Sequence, residues 1–151
     1  GMLPDSYVAT SLLSDALQVF MASDHPLADC EVSLRDLLDF PHIVVSLRGS
    51  NEGTHLDSYL DQKGLTRRVA TVCHSFLTLP LLLQDTHDLA LAPASLLQVT
   101  GGSLRAKALP VPLPDVHLFA GWHPRFRNNP LHIWLRRILR TTCSLDPIAR
   151  D

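Results

Sequence analysis

The sequence predicts an α/β fold with a mainly parallel sheet. Two observations carry that prediction. Short apolar, β-branched runs alternate with helical runs opened by capping residues, in the order β-α-β-α-β-α-β-α-β-β-α. The 151 residues are 46% hydrophobic and only 19% charged, which suits a packed core in one α/β domain or two small lobes.

Residues 3–15 read as a loop with a short apolar turn. Ala16–Ala22 reads as a strand, stopped by Asp24, His25 and Pro26. Ser33 is placed to cap a helix over 34–40, with Asp36 three residues on as the partner of a near capping box. Pro41 ends it, and His42–Leu47 is a β-branched strand. Arg48–Gly53 is a polar loop. A helix runs from about Thr54 to Gln62, and Gly64 stops it. Arg67–Cys73 is the next strand. Ser75–Asp85 is an apolar helix that Pro80 must kink or start. Asp88–Ala92 is a short buried strand, Pro93–Val99 a helix broken by Gly101 and Gly102, and Leu104–Leu109 a strand. The prolines of 110–115 enforce an extended connection. That connection and the loop Ser23–Pro26 are the hinge candidates. Residues 144–151 are expected to fray.

The segment 116–141 closes the pattern. Val116, Leu118, Ala120 and Trp122 alternate as a strand does. After a polar turn, Asn129 can cap a helix with Pro130 in its first turn. Leu131, Trp134, Leu135, Ile138 and Leu139 then make one apolar face. Arg136, Arg137 and Arg140 stand toward the helix C-terminus, where the dipole favours cations. A solvated face accounts for them better than nucleic acid, because no aromatic interleaving or DNA-reading motif accompanies them.

Several classes are argued against. A net charge of −2 gives no global pull toward DNA or anionic membrane. Cys30, Cys73 and Cys143 are odd in number and far apart, which suggests neither a disulfide framework nor zinc, and favours a reducing cytoplasm. The apolar run Leu79–Leu83 is far too short for a bilayer, and no signal-peptide pattern opens the chain. Gly1 before Met2 has the look of a tag remnant. The eight histidines show no HxxxH spacing, so no metal is expected, and no cofactor motif or nucleophile–base pair points to an enzyme.

Five stretches resemble the effector-binding domain of LysR-type transcriptional regulators. They are DHPLA (24–28), VSLRDLLDFPHIVV (32–45), DSYLDQKGLTRRVATVCHSF (57–76), TLPLLLQDTHDLALAPASLL (78–97) and LPVPLPDVHLFAGWHPRFRNNPLHIWLRRIL (109–139). The last, with WH, a polar turn and WLR, is similar to the branch that senses aromatic acids and flavonoids. The resemblance implies a periplasmic-binding-protein-like (type 2) pair of α/β lobes with a ligand cleft between them. It puts 21–109 in a complete second lobe, and 1–20 with 110–151 in an incomplete first lobe. The DNA-binding helix-turn-helix and the first lobe's opening strands have no counterpart in these 151 residues.

The resemblance implies a small aromatic or carboxylated effector, with His42, Ser46, Thr54, Ser75, Phe76 and His123 as ligand-binding candidates. His42 has a second reading, a histidine satisfied at a strand edge. Ser75 has one as a helix cap, and His74 stands one position off the family's His-Phe pair. Trp122 reads as core, and His123 as lining the cleft or facing water. The apolar face of Leu131, Trp134, Leu135 and Ile138 has little sheet to pack on, so a homodimer is expected to cover it. DNA would be met only through the helix-turn-helix. The rival reading is a structural or dimerisation remnant that binds nothing small.

Overall fold

A computed structural model describes residues 6–46 and 54–144. In chain order the elements are β1 (Val8–Asp15), β2 (Leu17–Ala22), α1 (Leu34–Asp39), β3 (His42–Val45), α2 (His55–Asp61) and β4 (Val69–Cys73), then α3 (Leu79–Leu83), β5 (Leu89–Pro93), β6 (Leu104–Ala108), β7 (Val116–Trp122) and α4 (Pro130–Ser144). The readings at 47–53 and 145–151, and that of Gly1 and Met2, lie outside the described residues. The chain forms two compact units, Ala16–Asp115 and a smaller one of Gly1–Asp15 with Val116–Asp151.

The larger unit is built on a five-stranded sheet of order β4-β3-β5-β2-β6. The sheet is mixed. It is parallel through β4-β3-β5, as the alternation predicts, but β2 runs antiparallel to both β5 and β6. Side chains alternate between two cores, as strand geometry requires. Val19, Met21 and Leu89 join Leu37 of α1 and Leu56 and Leu60 of α2 on one face. Phe20, Ala90 and Ala92 join Leu79 and Leu83 of α3 on the other. Burial on both faces explains why the centre of β2 is apolar without a break.

Helix entry follows the capping chemistry. Ser33 and Thr54 each make a full capping box, with Asp36 and Asp57 at the third helical position. Gly64 leaves α2 at φ +66°, a left-handed conformation that glycine adopts without a Cβ clash. The helix expected over 75–85 is divided into a 3-10 turn, Phe76–Thr78, and α3, with Pro80 in the first turn of α3. Pro93–Val99 tightens to a 3-10 turn over Ala94–Val99.

Neither hinge candidate is free chain. In Ser23–Pro26, His25 is buried, its Nδ1 accepts the Leu27 amide at 3.0 Å, and its Nε2 lies 3.2 Å from the His87 carbonyl. In the proline connection, Val111 is buried and Leu109 and Leu113 pack on the first core. The division between units falls instead at Asp15/Ala16 and Asp115/Val116.

In the smaller unit, β1 and β7 form an antiparallel ribbon from Val8↔Trp122 to Asp15↔Val116. The expected loop at 3–15 is therefore a strand from Val8 onward. Its register shifts between Ser11 and Leu13, leaving Leu12 as an extra residue that breaks the period-2 pattern. Its partner strand is also about a hundred residues away, beyond any local signal. Arg140 of α4 donates to Thr10 Oγ1 at 3.2 Å.

Candidate functional site

The sequence-derived candidates of the larger unit separate to the two ends of β3. At its carboxyl end Ser46 donates its amide to the Cys73 carbonyl at 2.8 Å, tying it to the end of β4. His74 lies alongside and donates from Nδ1 to the Ser46 carbonyl at 2.7 Å. That bond commits Nδ1, and the side chain is exposed. Ser75 caps the 3-10 turn by accepting the Leu77 amide at 3.2 Å, as its capping reading anticipates. Phe76 packs half-buried on the second core. Ser46, His74 and Ser75 thus meet outside the carboxyl ends of two parallel strands, where open α/β sheets bind ligands.

His42 and Thr54 stand at the other end, four residues back along β3, or roughly 13 Å. Here His42 has the geometry of its second reading, a histidine satisfied within the fold, and Thr54 serves as a helix cap. His42 is wholly buried; its Nε2 donates to the Leu37 carbonyl at 2.8 Å and its Nδ1 accepts from Arg67 Nη1 at 3.1 Å. Both ring nitrogens are committed, and no surface is left for an effector. Burial first, and then the Arg67 charge, push its pKa down to about 4, so the ring is neutral. Thr54 caps α2, and its Oγ1 also accepts from Arg67 Nη2 at 2.8 Å. Arg67 completes the group with a two-pronged pair to Asp57, at 2.7 Å from Nε and 2.9 Å from Nη2. Burial works to raise the Asp57 pKa, but the bonds from Arg67 and Thr54 hold it below the ordinary carboxylate value. This is scaffold chemistry. The sequence reading missed it because Arg67 and Asp57 lie ten residues apart in a loop-separated pair.

His123 belongs to the smaller unit. It follows Trp122 at the ribbon end remote from the Asp15–Val116 crossing, about 20 Å along β7 at 3.3 Å per residue. There it caps a 3-10 turn over Pro124–Phe126 and lines a hollow of about 410 Å³ with Tyr7, Trp122 and Arg136. On α4, Leu131, Trp134, Leu135 and Ile138 are 67%, 57%, 45% and 43% exposed, an open apolar face of the kind the pattern predicts. Among the described residues no cluster of His, Cys, Asp or Glu could hold a metal, and no helix is long and apolar enough to cross a membrane.

The sheet architecture is that of an α/β domain with the periplasmic-binding-protein-like fold. The chain belongs to the LysR substrate binding domain family, whose profile matches residues 3–144. It is 26% identical over 144 residues to the HTH-type transcriptional activator NagR of a Ralstonia species, an alignment covering 91% of this chain and 47% of NagR. Among solved structures it resembles the regulatory domain of MexT, a transcriptional activator in Pseudomonas aeruginosa. That match has a TM-score of 0.79 at 26% identity over 93% of this chain and 70% of that one. It shares its fold with the BenM effector binding domain, solved with its effector benzoate, at a TM-score of 0.65 and 19% identity over 98% and 70% of the two chains. The chain spans about half the length of the transcriptional activators it matches.

Proposed function

We propose that the chain is the sensing part of a cytoplasmic transcriptional regulator and not an enzyme. Its Ala16–Asp115 unit corresponds to the second effector-domain lobe and the ribbon with α4 to part of the first. The effector is a small aromatic or carboxylated molecule, of the kind named for BenM. The observation that carries this reading is the meeting of Ser46, His74 and Ser75 at the carboxyl ends of β3 and β4. His74, with Nδ1 committed to the Ser46 carbonyl, would present Nε2 to the ligand. Nothing among the described residues is assigned to contact DNA.

Isothermal titration calorimetry with benzoate- and salicylate-like acids tests the proposal. Saturable binding is expected. His74→Ala should weaken it about tenfold or more, the worth of one hydrogen bond to a charged group. Calorimetric silence across the panel would leave the ligand-free association module as the better reading.

The α4 face of Leu131, Trp134, Leu135 and Ile138 is assigned to self-association with a second copy. Light scattering behind size-exclusion chromatography at micromolar concentration should give a dimer. Trp134→Glu should return it to the monomer mass. A monomer in the unmodified protein would sink the assignment.

A further inference from the structure

The stretch DHPLA, which the effector reading leaves without a task, lies in the turn that follows β2. His25 is its centre. The residue is only 3% exposed, although no helix or strand contains it. Phe40, the C-cap of α1, lies 4.8 Å from its ring, and the His87 ring, just ahead of β5, meets it edge-on at 5.7 Å.

Both ring nitrogens bond to main chain. Nδ1 accepts the Leu27 amide at 3.0 Å, and Nε2 donates to the His87 carbonyl at 3.2 Å. A neutral ring with its proton on Nε2 is the one form that meets both. The backbone of the turn closes around the same residue. His25 donates its amide to the Ala22 carbonyl at 3.2 Å, and its own carbonyl accepts from Ala28 at 2.8 Å. Cys30 then donates to the Leu27 carbonyl at 3.1 Å. One side chain thus holds its own turn and fastens it to the turn between α3 and β5, 62 residues further on.

This arrangement is sensitive to a single proton. A proton on Nδ1 would turn the acceptor into a donor facing the Leu27 N–H. It would also put a charge on a buried ring. Burial is the largest influence on His25 and lowers its pKa; the bond to the His87 carbonyl works the other way, the His87 ring opposes the charge, and Asp24 and Asp88 favour it. The balance lies below the ordinary histidine value. In an opened turn the ring meets water and binds its proton near pH 6.5. The open form is then the better proton acceptor, so acid populates it. Opening also withdraws apolar groups from the core, because Ala28 is buried and Leu27 packs on the first cluster.

We propose that DHPLA is an acid-released clasp: protonation of His25 Nδ1 opens the turn 23–30 and frees it from the α3–β5 turn while the sheet stays folded. The clasp stands whether or not the site at Ser46 and His74 takes an effector. The test is amide exchange between pH 7.5 and 5.5, followed by NMR and corrected for the intrinsic pH dependence of exchange. It is run on the full chain and on its His42→Gln variant, which takes the other buried titrating histidine out of play. In both, the opening constant at Leu27, Ala28 and Cys30 should rise several-fold, and at most about tenfold, the ratio that one proton with an open-state pKa near 6.5 sets over this range. In His42→Gln the amides of Val19 and Phe20, central in β2, should stay level. His25→Asn keeps an acceptor for the Leu27 amide, as asparagine does in turns, and cannot titrate, so the response should vanish. His87→Gln leaves the carbonyl in place, so the response should remain. Ring ¹⁵N shifts give a reading that needs no substitution. They should place the His25 proton on Nε2 at pH 7.5, with a midpoint below the ordinary histidine value. A proton on Nδ1 at pH 7.5 or an unchanged opening constant would overturn the proposal. So would a response that survives His25→Asn or disappears in His87→Gln, or an equal rise at Val19 and Phe20 in His42→Gln.

Discussion

Arg67→Ala is expected to cost the protein about 3–5 kcal/mol of stability, the usual penalty for removing one partner of a buried ion pair. The Arg67 side chain is 3% exposed and that of Asp57 28%. One guanidinium reaches Asp57, Thr54 and His42 together, so it joins the start of α2 to the start of β3. Without it the Asp57 carboxylate keeps only its capping bonds to Thr54. The buried His42 Nδ1 also loses its donor. Domains of this size are stable by roughly 5–15 kcal/mol, so such a loss is a large share of the whole. Urea unfolding followed by circular dichroism measures it. Arg67→Lys should recover only part, because an ammonium cannot reproduce the planar fork. Arg67→Ala with Asp57→Ala should be less damaging than the two single losses added, since the double variant leaves no unpaired charge. A loss under about 1 kcal/mol for Arg67→Ala would show that water enters and replaces the guanidinium, and the pair would then be no anchor.

The contrast between that anchor and the ligand candidates shows how far residue patterns carry. Ser33 with Asp36 announces a capping box at fixed spacing, and the structure has it. The apolar stripe of α4 reads directly from its period, and its exposure follows once the β1–β7 ribbon is seen to be all the sheet among the described residues of its unit. His42 could not be placed so simply. Its type and position are the same whether it faces an effector or a core, and only the arrival of Arg67 from 25 residues away decides the matter. His74 was discounted on alignment with a family pair, yet its bond to the Ser46 carbonyl depends on β3 and β4 running parallel. β1 was hidden by its bulge, and with it the hollow beside Trp122, because Tyr7 reaches that hollow only when β1 pairs with β7. Local chemistry was readable; what depended on distant pairing was not.

Stability is expected to fall as the pH drops from about 6.5 toward 4, with His42 as the main cause. In the unfolded chain a histidine takes up its proton near pH 6.5. In the folded protein burial, and then the neighbouring Arg67, hold His42 down to about 4. Between those values the unfolded state binds a proton that the native state refuses. Stability is therefore complete above about pH 6.5 and is lost on acidification through that window. The full difference corresponds to about 3 kcal/mol, of which about 2 kcal/mol should be gone by pH 5. His25 adds to the trend, since burial lowers its pKa too, partly offset by its bond to the His87 carbonyl. Asp57 acts later. The bonds from Arg67 and Thr54 outweigh its burial and keep it ionised, so its contribution is lost only below the ordinary carboxylate value of 3.8. Urea midpoints at pH 7.5, 6 and 5 should trace the first stage. His42→Gln keeps a possible donor to the Leu37 carbonyl but cannot titrate, so its midpoints should vary much less over this range, whatever its stability at neutral pH. An equal slope in that variant would move the proton uptake to another group. The physical constraint behind the expectation is local and severe: a proton on His42 Nδ1 would remove the acceptor that Arg67 Nη1 uses at 3.1 Å and set two cations face to face in the core.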